Sequence, residues 1–164
     1  MKKILVNSIT FLRILLGLLF FYFVLFDFNK IYLVFIFILT AISDFSDGKL
    51  ARKFHISSNA GARFDVISDF IFIFLSTLSL VLIDLIPFWF LFIIILKLLE
   101  FFITSGNKKL KYEKFGHFVA LMFYAFPIFA ILINSKNITL MLSILISVCA
   151  VASSILRIKN LCEK

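Results

Sequence analysis

The chain has 164 residues, of which 63% are hydrophobic and only 16% charged, with 24 phenylalanines and a net charge of +8. Soluble domains are nearer half apolar and a quarter charged, so this balance excludes an ordinary soluble core and fits a chain whose solvent is lipid. Two cysteines, Cys149 and Cys162, exclude a disulfide scaffold, and a size of this order leaves room for one membrane domain over 1–164.

A lipid-spanning helix needs about 20 apolar residues, and the runs predict six of them. The first covers Ile9 to Phe26, with Arg13 near its start, and is expected to be retained rather than cleaved as a signal peptide. After the polar break "DFNK" the second begins at Ile31. Its apolar part ends at Ile42, and helix is expected to continue to about Lys53. Ser57, Ser58 and Asn59 are capping residues, and the third helix is expected from about Ala60 to Leu82. Asp84 and Pro87 mark a tight turn before the fourth, Pro87 to about Thr104. The polar stretch "SGNKKLKYEK" leads to the fifth, Phe115 to Ile133, with Pro127 as an expected kink. "NSKN" precedes the sixth, Ile138 to Ile158. The expected fold class is therefore all-α and integral to a membrane.

The basic residues orient the six spans. Fifteen of the seventeen fall on the side of both termini, leaving only Lys30 and Lys136 on the other. By the positive-inside rule the first side is cytoplasmic. The charge is thus a topology signal, with no call for nucleic acid as a partner.

Four carboxylates stand at the cytoplasmic ends of spans two and three. Asp44 and Asp47 are three apart and share a helical face with Gly48 and Ala51. Gly61, Asp65 and Asp69, spaced by four, form a stripe on the third helix. A hairpin of the two helices is expected to bring the stripes together. Clustered carboxylates in a low dielectric repel, so cations are needed, and acidic oxygen ligands suit Mg²⁺, Mn²⁺ or Ca²⁺. The small residues leave space for a flat ligand or for close helix packing. Arg52 in the same polar mouth suits a phosphate.

These residues fall in a recognisable order. "DFSDGKLARKFHISSNAGARFDVISD" fits D-x2-D-G-x2-A-R-x8-G-x3-D-x3-D at all fixed positions, and resembles the signature of the CDP-alcohol phosphatidyltransferases. Eight such coincidences arise by chance about once in 10¹⁰ starts. The resemblance implies a two-metal site of Mg²⁺ or Mn²⁺ held by Asp44, Asp47 and Asp65. Asp69 is implied both as a metal contact and as general base. Gly48, Ala51 and Gly61 are implied at the cytidine pocket, and Arg52 at the diphosphate. "NSITFLR" resembles the family's N-x2-T-x2-R opening, which implies that Asn7 or Thr10 meets the nucleotide diphosphate. The implied reaction transfers a phosphatidyl group from CDP-diacylglycerol or a similar CDP-lipid to a small alcohol, releasing CMP, at the cytoplasmic face of a bacterial-type plasma membrane. A homodimer is a further implied state.

The acceptor is the least determined part. Lys108, Lys109, Lys111 and Lys114 favour a phosphorylated alcohol such as glycerol 3-phosphate, although they also serve topology. Relatives that make phosphatidylglycerophosphate often carry an aromatic, a proline and a lysine where this chain has Ala60, Val66 and Phe70, which keeps serine open. Lys97 and Glu100, three apart, are expected to pair. Two other readings remain, a cation-coupled transporter and a membrane prenyltransferase. An acidic cluster at one membrane edge argues against the first, since secondary transporters bind near the midplane. The closeness of the two Asp motifs argues against the second.

Overall fold

The structure is a computed structural model that describes residues 2–53, 59–105 and 114–162, with side-chain environments for 11–43, 61, 63–103 and 116–159. Every element among them is an α-helix: α1 (Lys2–Leu25), α2 (Lys30–Lys53), α3 (Asn59–Leu82), α4 (Trp89–Ser105), α5 (Lys114–Ile133) and α6 (Lys136–Cys162). All six expected helices are present. The first begins earlier than the apolar run alone suggests, because helix extends through the polar "KKILVNS" to Lys2. As expected, α2 runs unbroken past Ile42 to Lys53, and α5 continues through Pro127.

Three helices are long and apolar enough to cross a membrane: Arg63–Leu82, Gly116–Ile133 and Lys136–Lys159. The described apolar stretches of α1 and α2, Phe11–Leu25 and Lys30–Ser43, are shorter, and α4 has 17 residues.

Burial follows the logic of a lipid solvent. Arg13, Thr40, Ser68, Ser76, Thr77, Ser79, Thr139 and Ser143 are wholly buried, while Phe35, Ile103, Phe118, Met141, Val148 and Ile155 are more than half exposed. A soluble protein does not keep such apolar faces in water while burying so many hydroxyls. In hydrocarbon a hydroxyl must find its partner within the protein. Thr40, Ser76, Ser143 and Ser147 do so by donating to carbonyls three or four residues back, at 2.7–2.8 Å. These exposed apolar helices are those of an integral membrane protein.

Three helix ends close in the same manner. Asp27, Asp84 and Asn134 take left-handed backbone conformations, with φ of 51°, 58° and 49°. After α1 the Asp27 and Phe28 amides donate to the carbonyls of Val24 and Phe23, and after α3 those of Asp84 and Leu85 donate to Val81 and Leu80. Both are Schellman endings, whereas Asn134 makes the simpler bond to the Ala130 carbonyl at 2.9 Å. Asp and Asn adopt this conformation more readily than other non-glycine residues. The short polar breaks in the sequence are therefore helix stops with a defined geometry.

The chain divides into two compact units, Met1–Ser79 and Leu80–Lys164. In the first, α1 lies along α2, and its buried stripe of Arg13, Leu16, Phe20 and Val24 includes the residues that meet α3. The Phe20 and Phe72 rings meet edge to face at 6.0 Å. One turn before Phe20 stands Gly17, where an added Cβ lies 3.3 Å from the Phe72 Cα. The backbones of α1 and α3 therefore approach so closely that even a methyl group would require them to give by a few tenths of an ångström. In the second unit α6 packs on α4 and α5, Phe90 stacks against Phe123 and Phe126, and the Thr139 hydroxyl donates to the Leu85 carbonyl at 2.7 Å.

Gly17→Leu is expected to force α1 and α3 apart and to destabilise the protein by about 1–3 kcal/mol or more, the usual range for overpacking. Thermal unfolding in detergent measures it.

Candidate active site

The site begins with a cost. A guanidinium in a membrane helix must be compensated, and Arg13 has no exposed surface. The compensation comes from α3, more than fifty residues away in sequence. Arg13 Nη1 donates to Asp65 Oδ1 at 3.0 Å, to Ser68 Oγ at 3.3 Å, and closely to Asp69 Oδ1. The Ser68 hydroxyl donates in turn to the Asp65 carbonyl at 2.8 Å. Spacings of three and four residues place Asp65, Ser68 and Asp69 on one face of α3, the face that continues to Phe72. The contact is the polar end of the seam that Gly17 and Phe20 make apolar further along.

The two carboxylates differ from Arg13 in exposure. Asp65 and Asp69 keep 39% and 33% of their side-chain surfaces accessible, so each can meet a further ligand while holding the arginine. Gly61, one turn before Asp65, is exposed. Three members of the expected α3 stripe are thus present with the predicted spacing, and two share a partner.

On α2, Asp44, Asp47, Gly48, Ala51 and Arg52 lie in continuous helix. Asn7 and Thr10 likewise lie in α1. The side chains of all seven lie outside the described residues, as does the connection at 54–58. Lys108, Lys109 and Lys111 lie outside them too, and so does the side chain of Lys114.

The divalent metals implied by the sequence motif can be tested against the α3 residues. Among the described residues no group of three or more His, Cys, Asp or Glu side chains stands together. Asp65 and Asp69 nevertheless fit a cation. They offer hard oxygen donors, and one oxygen of each converges on a single positively charged nitrogen. The geometry is that of a cation-holding pair, although Asp44 and Asp47 are not described with it.

Comparison with known proteins decides the class. The profile of the CDP-alcohol phosphatidyltransferase family matches residues 3–155. The chain belongs to that family. It is accordingly an enzyme of the CDP-alcohol phosphotransferase type, and the match runs from α1 into α6, well beyond the 26-residue signature. No curated protein matches the chain.

A second polar cluster lies in the other unit. Lys97 Nζ donates to Glu100 Oε2 and to Ser154 Oγ, both at 3.0 Å, and Ser154 lies 2.6 Å from the same carboxylate oxygen. The pairing of Lys97 with Glu100 agrees with their spacing, but Ser154 on α6 is a partner that sequence reasoning missed. One turn on, the Arg157 guanidinium sits 5.4 Å from the Phe101 ring centroid. Sequence reasoning counts Arg13 among the fifteen basic residues on the side of the termini and names no partner for it. The signal that could have supplied one is its position inside an apolar run, where a charge demands a countercharge.

Lys97→Met is expected to remove the positive charge paired with Glu100 and to cost roughly 3 kcal/mol. The double variant Lys97→Met/Glu100→Met is expected to be more stable than that single one. Denaturant unfolding of the single and double variants measures the difference.

Proposed function

We propose that this enzyme transfers a phosphatidyl or similar phospholipid group from a CDP-linked lipid to a small alcohol at the cytoplasmic edge of a cell membrane of bacterial type, releasing CMP. The observation that carries the reading is the family match over 3–155 together with the paired Asp65 and Asp69 carboxylates on one face of α3. In this reading the single domain 1–164 crosses the membrane six times with both termini in the cytoplasm. Its support is the placement of fifteen of the seventeen basic residues on one side of the six apolar runs.

The residues divide the work by chemistry. Asp44, Asp47, Asp65 and Asp69 would hold Mg²⁺ or Mn²⁺, whose charge would neutralise diphosphate oxygens and stabilise the departing nucleotide. Gly48, Ala51 and Gly61 lack bulk and leave space for the cytidine, while Arg52, with Asn7 or Thr10, meets the diphosphate. The lipid tails remain in the bilayer, so the reacting phosphorus is held at the membrane edge. That placement supplies proximity to an acceptor arriving from the cytoplasm. Asp69 removes the acceptor hydroxyl proton. The acceptor oxygen forms a bond to the lipid-side phosphorus as the bond from that phosphorus to the bridging oxygen of CMP breaks. CMP leaves with the bridging oxygen and its electron pair.

For the acceptor we favour glycerol 3-phosphate, since Lys108, Lys109, Lys111 and Lys114 supply positive charge to a phosphate. Val66 and Phe70 on α3 keep serine as the competing acceptor.

Purified protein in lipid with CDP-diacylglycerol and Mn²⁺ is expected to release CMP when the right alcohol is added, and chelation is expected to stop it. A panel of glycerol 3-phosphate, inositol phosphate, inositol, serine and ethanolamine tests the acceptor. A clear preference for an unphosphorylated alcohol rejects glycerol 3-phosphate.

Asp44→Asn, Asp47→Asn and Asp65→Asn are expected to lose metal affinity and turnover together. Asp69→Asn is expected to keep more of its nucleotide affinity while turnover falls by about 10²–10⁴-fold, the usual contribution of a general base. Near-wild-type turnover in Asp69→Asn rejects its role as base.

A further inference from the structure

Arg13 shares its α3 acceptors with the cation that the proposed reaction requires. One of its nitrogens, Nη1, stands within hydrogen-bond reach of one oxygen of Asp65 and one oxygen of Asp69. A divalent ion bridging those same two oxygens needs the space that this nitrogen fills. The guanidinium is also fully buried, whereas the two carboxylates are partly open. A doubly charged ion beside a buried guanidinium is repelled more strongly than it would be in water, because little solvent lies between the charges. Both demands, for space and for charge, oppose simultaneous occupation of this pair of oxygens.

We propose that Arg13 is the resident countercation of the Asp65–Asp69 pair and that a divalent metal binds those carboxylates in competition with it. The inference rests on the metal-holding role proposed above for Asp65 and Asp69.

The arrangement has a structural use. Two carboxylates one turn apart on a membrane helix repel each other when no cation is present. Arg13 supplies a positive charge from within the chain and ties α1 to α3 at the seam that continues through Gly17 and Phe72. The metal-free enzyme therefore keeps its aspartates paired and oriented without a bound ion. The consequence is weaker metal binding, because every metal that takes these two oxygens must displace a paired guanidinium. Arg13 is a positioning residue in this scheme, and it acts through the two carboxylates.

Competition and simple support predict opposite signs for one measurement. If Arg13 only holds Asp65 and Asp69 in place for the metal, removing its charge weakens metal binding. If it competes, removing its charge strengthens metal binding. Arg13→Gln keeps a hydrogen-bond donor but removes the charge, and Arg13→Lys keeps the charge. Mn²⁺ binding to the substrate-free proteins in detergent is followed by the electron paramagnetic resonance of the free ion, which does not depend on turnover. Arg13→Gln is expected to bind Mn²⁺ on the order of tenfold more tightly than wild type, with Arg13→Lys close to wild type. Arg13→Gln protein that folds only when Mn²⁺ is added supports the proposal equally, since the ion then stands in for the guanidinium. Equal or weaker Mn²⁺ affinity in folded Arg13→Gln overturns it, as does an Arg13→Gln protein that stays unfolded at every Mn²⁺ concentration. Asp65→Asn and Asp69→Asn in the same titration separate this outcome from failure of the site itself. If neither alters the Mn²⁺ affinity of the wild-type background, the metal-holding role of α3 is wrong. If both weaken it and Arg13→Gln does not strengthen it, only the competition is wrong.

Discussion

A buried guanidinium sets the terms for the amino-terminal unit. Arg13 sits in an apolar run, and in lipid it is tolerated only with a countercharge brought to it by the chain. Asp65 and Asp69 provide one, and their spacing of four places both on the face of α3 that meets α1. The same face carries Phe72, which packs against Phe20 and passes close to Gly17. One helix pairing thus fixes the charge, the orientation of two family aspartates and the close approach of two backbones. Displacing Arg13 would disturb all three, so the polar contact cannot be treated separately from the packing around it.

The fold inverts the usual order of a soluble protein. Buried hydroxyls such as those of Thr40, Ser76 and Ser143 return their hydrogens to the helix backbone, and many large aliphatic and aromatic side chains face outward. Chemistry on a lipid suits this arrangement. The acyl chains of a substrate can share the solvent of the outward face while the polar group reaches carboxylates that remain about one-third exposed. A soluble enzyme would have to extract the lipid first.

The helices were legible because lipid imposes a minimum apolar length and because polar breaks interrupt it. Asp27, Asp84 and Asn134 show why those breaks worked as stops: each takes a left-handed conformation that ends a helix. The aspartate stripes were legible for a related reason, since spacings of three and four survive in any helix that continues through them, and α2 and α3 do. The partners of those side chains were not legible. Pairing Arg13 with Asp65 and Asp69 joins residues 52 and 56 apart, and joining Ser154 to Lys97 crosses 57. Local periodicity carries no information about which helix faces which at that distance. The helix ends differed slightly from the apolar runs for the same reason that α1 reaches Lys2: hydrogen bonding along a helix continues into polar residues where hydropathy has already fallen.

The account as a whole depends on α3 carboxylates bringing a metal to the phosphates of a nucleotide-linked lipid. The most direct measurement is the phosphorus hyperfine coupling of Mn²⁺ bound to the enzyme with CDP-diacylglycerol. The account predicts a resolved coupling to ³¹P in the wild-type complex and its loss in Asp65→Asn/Asp69→Asn. Bound Mn²⁺ without phosphorus coupling in the wild type would contradict it, as would an unchanged coupling in the double variant.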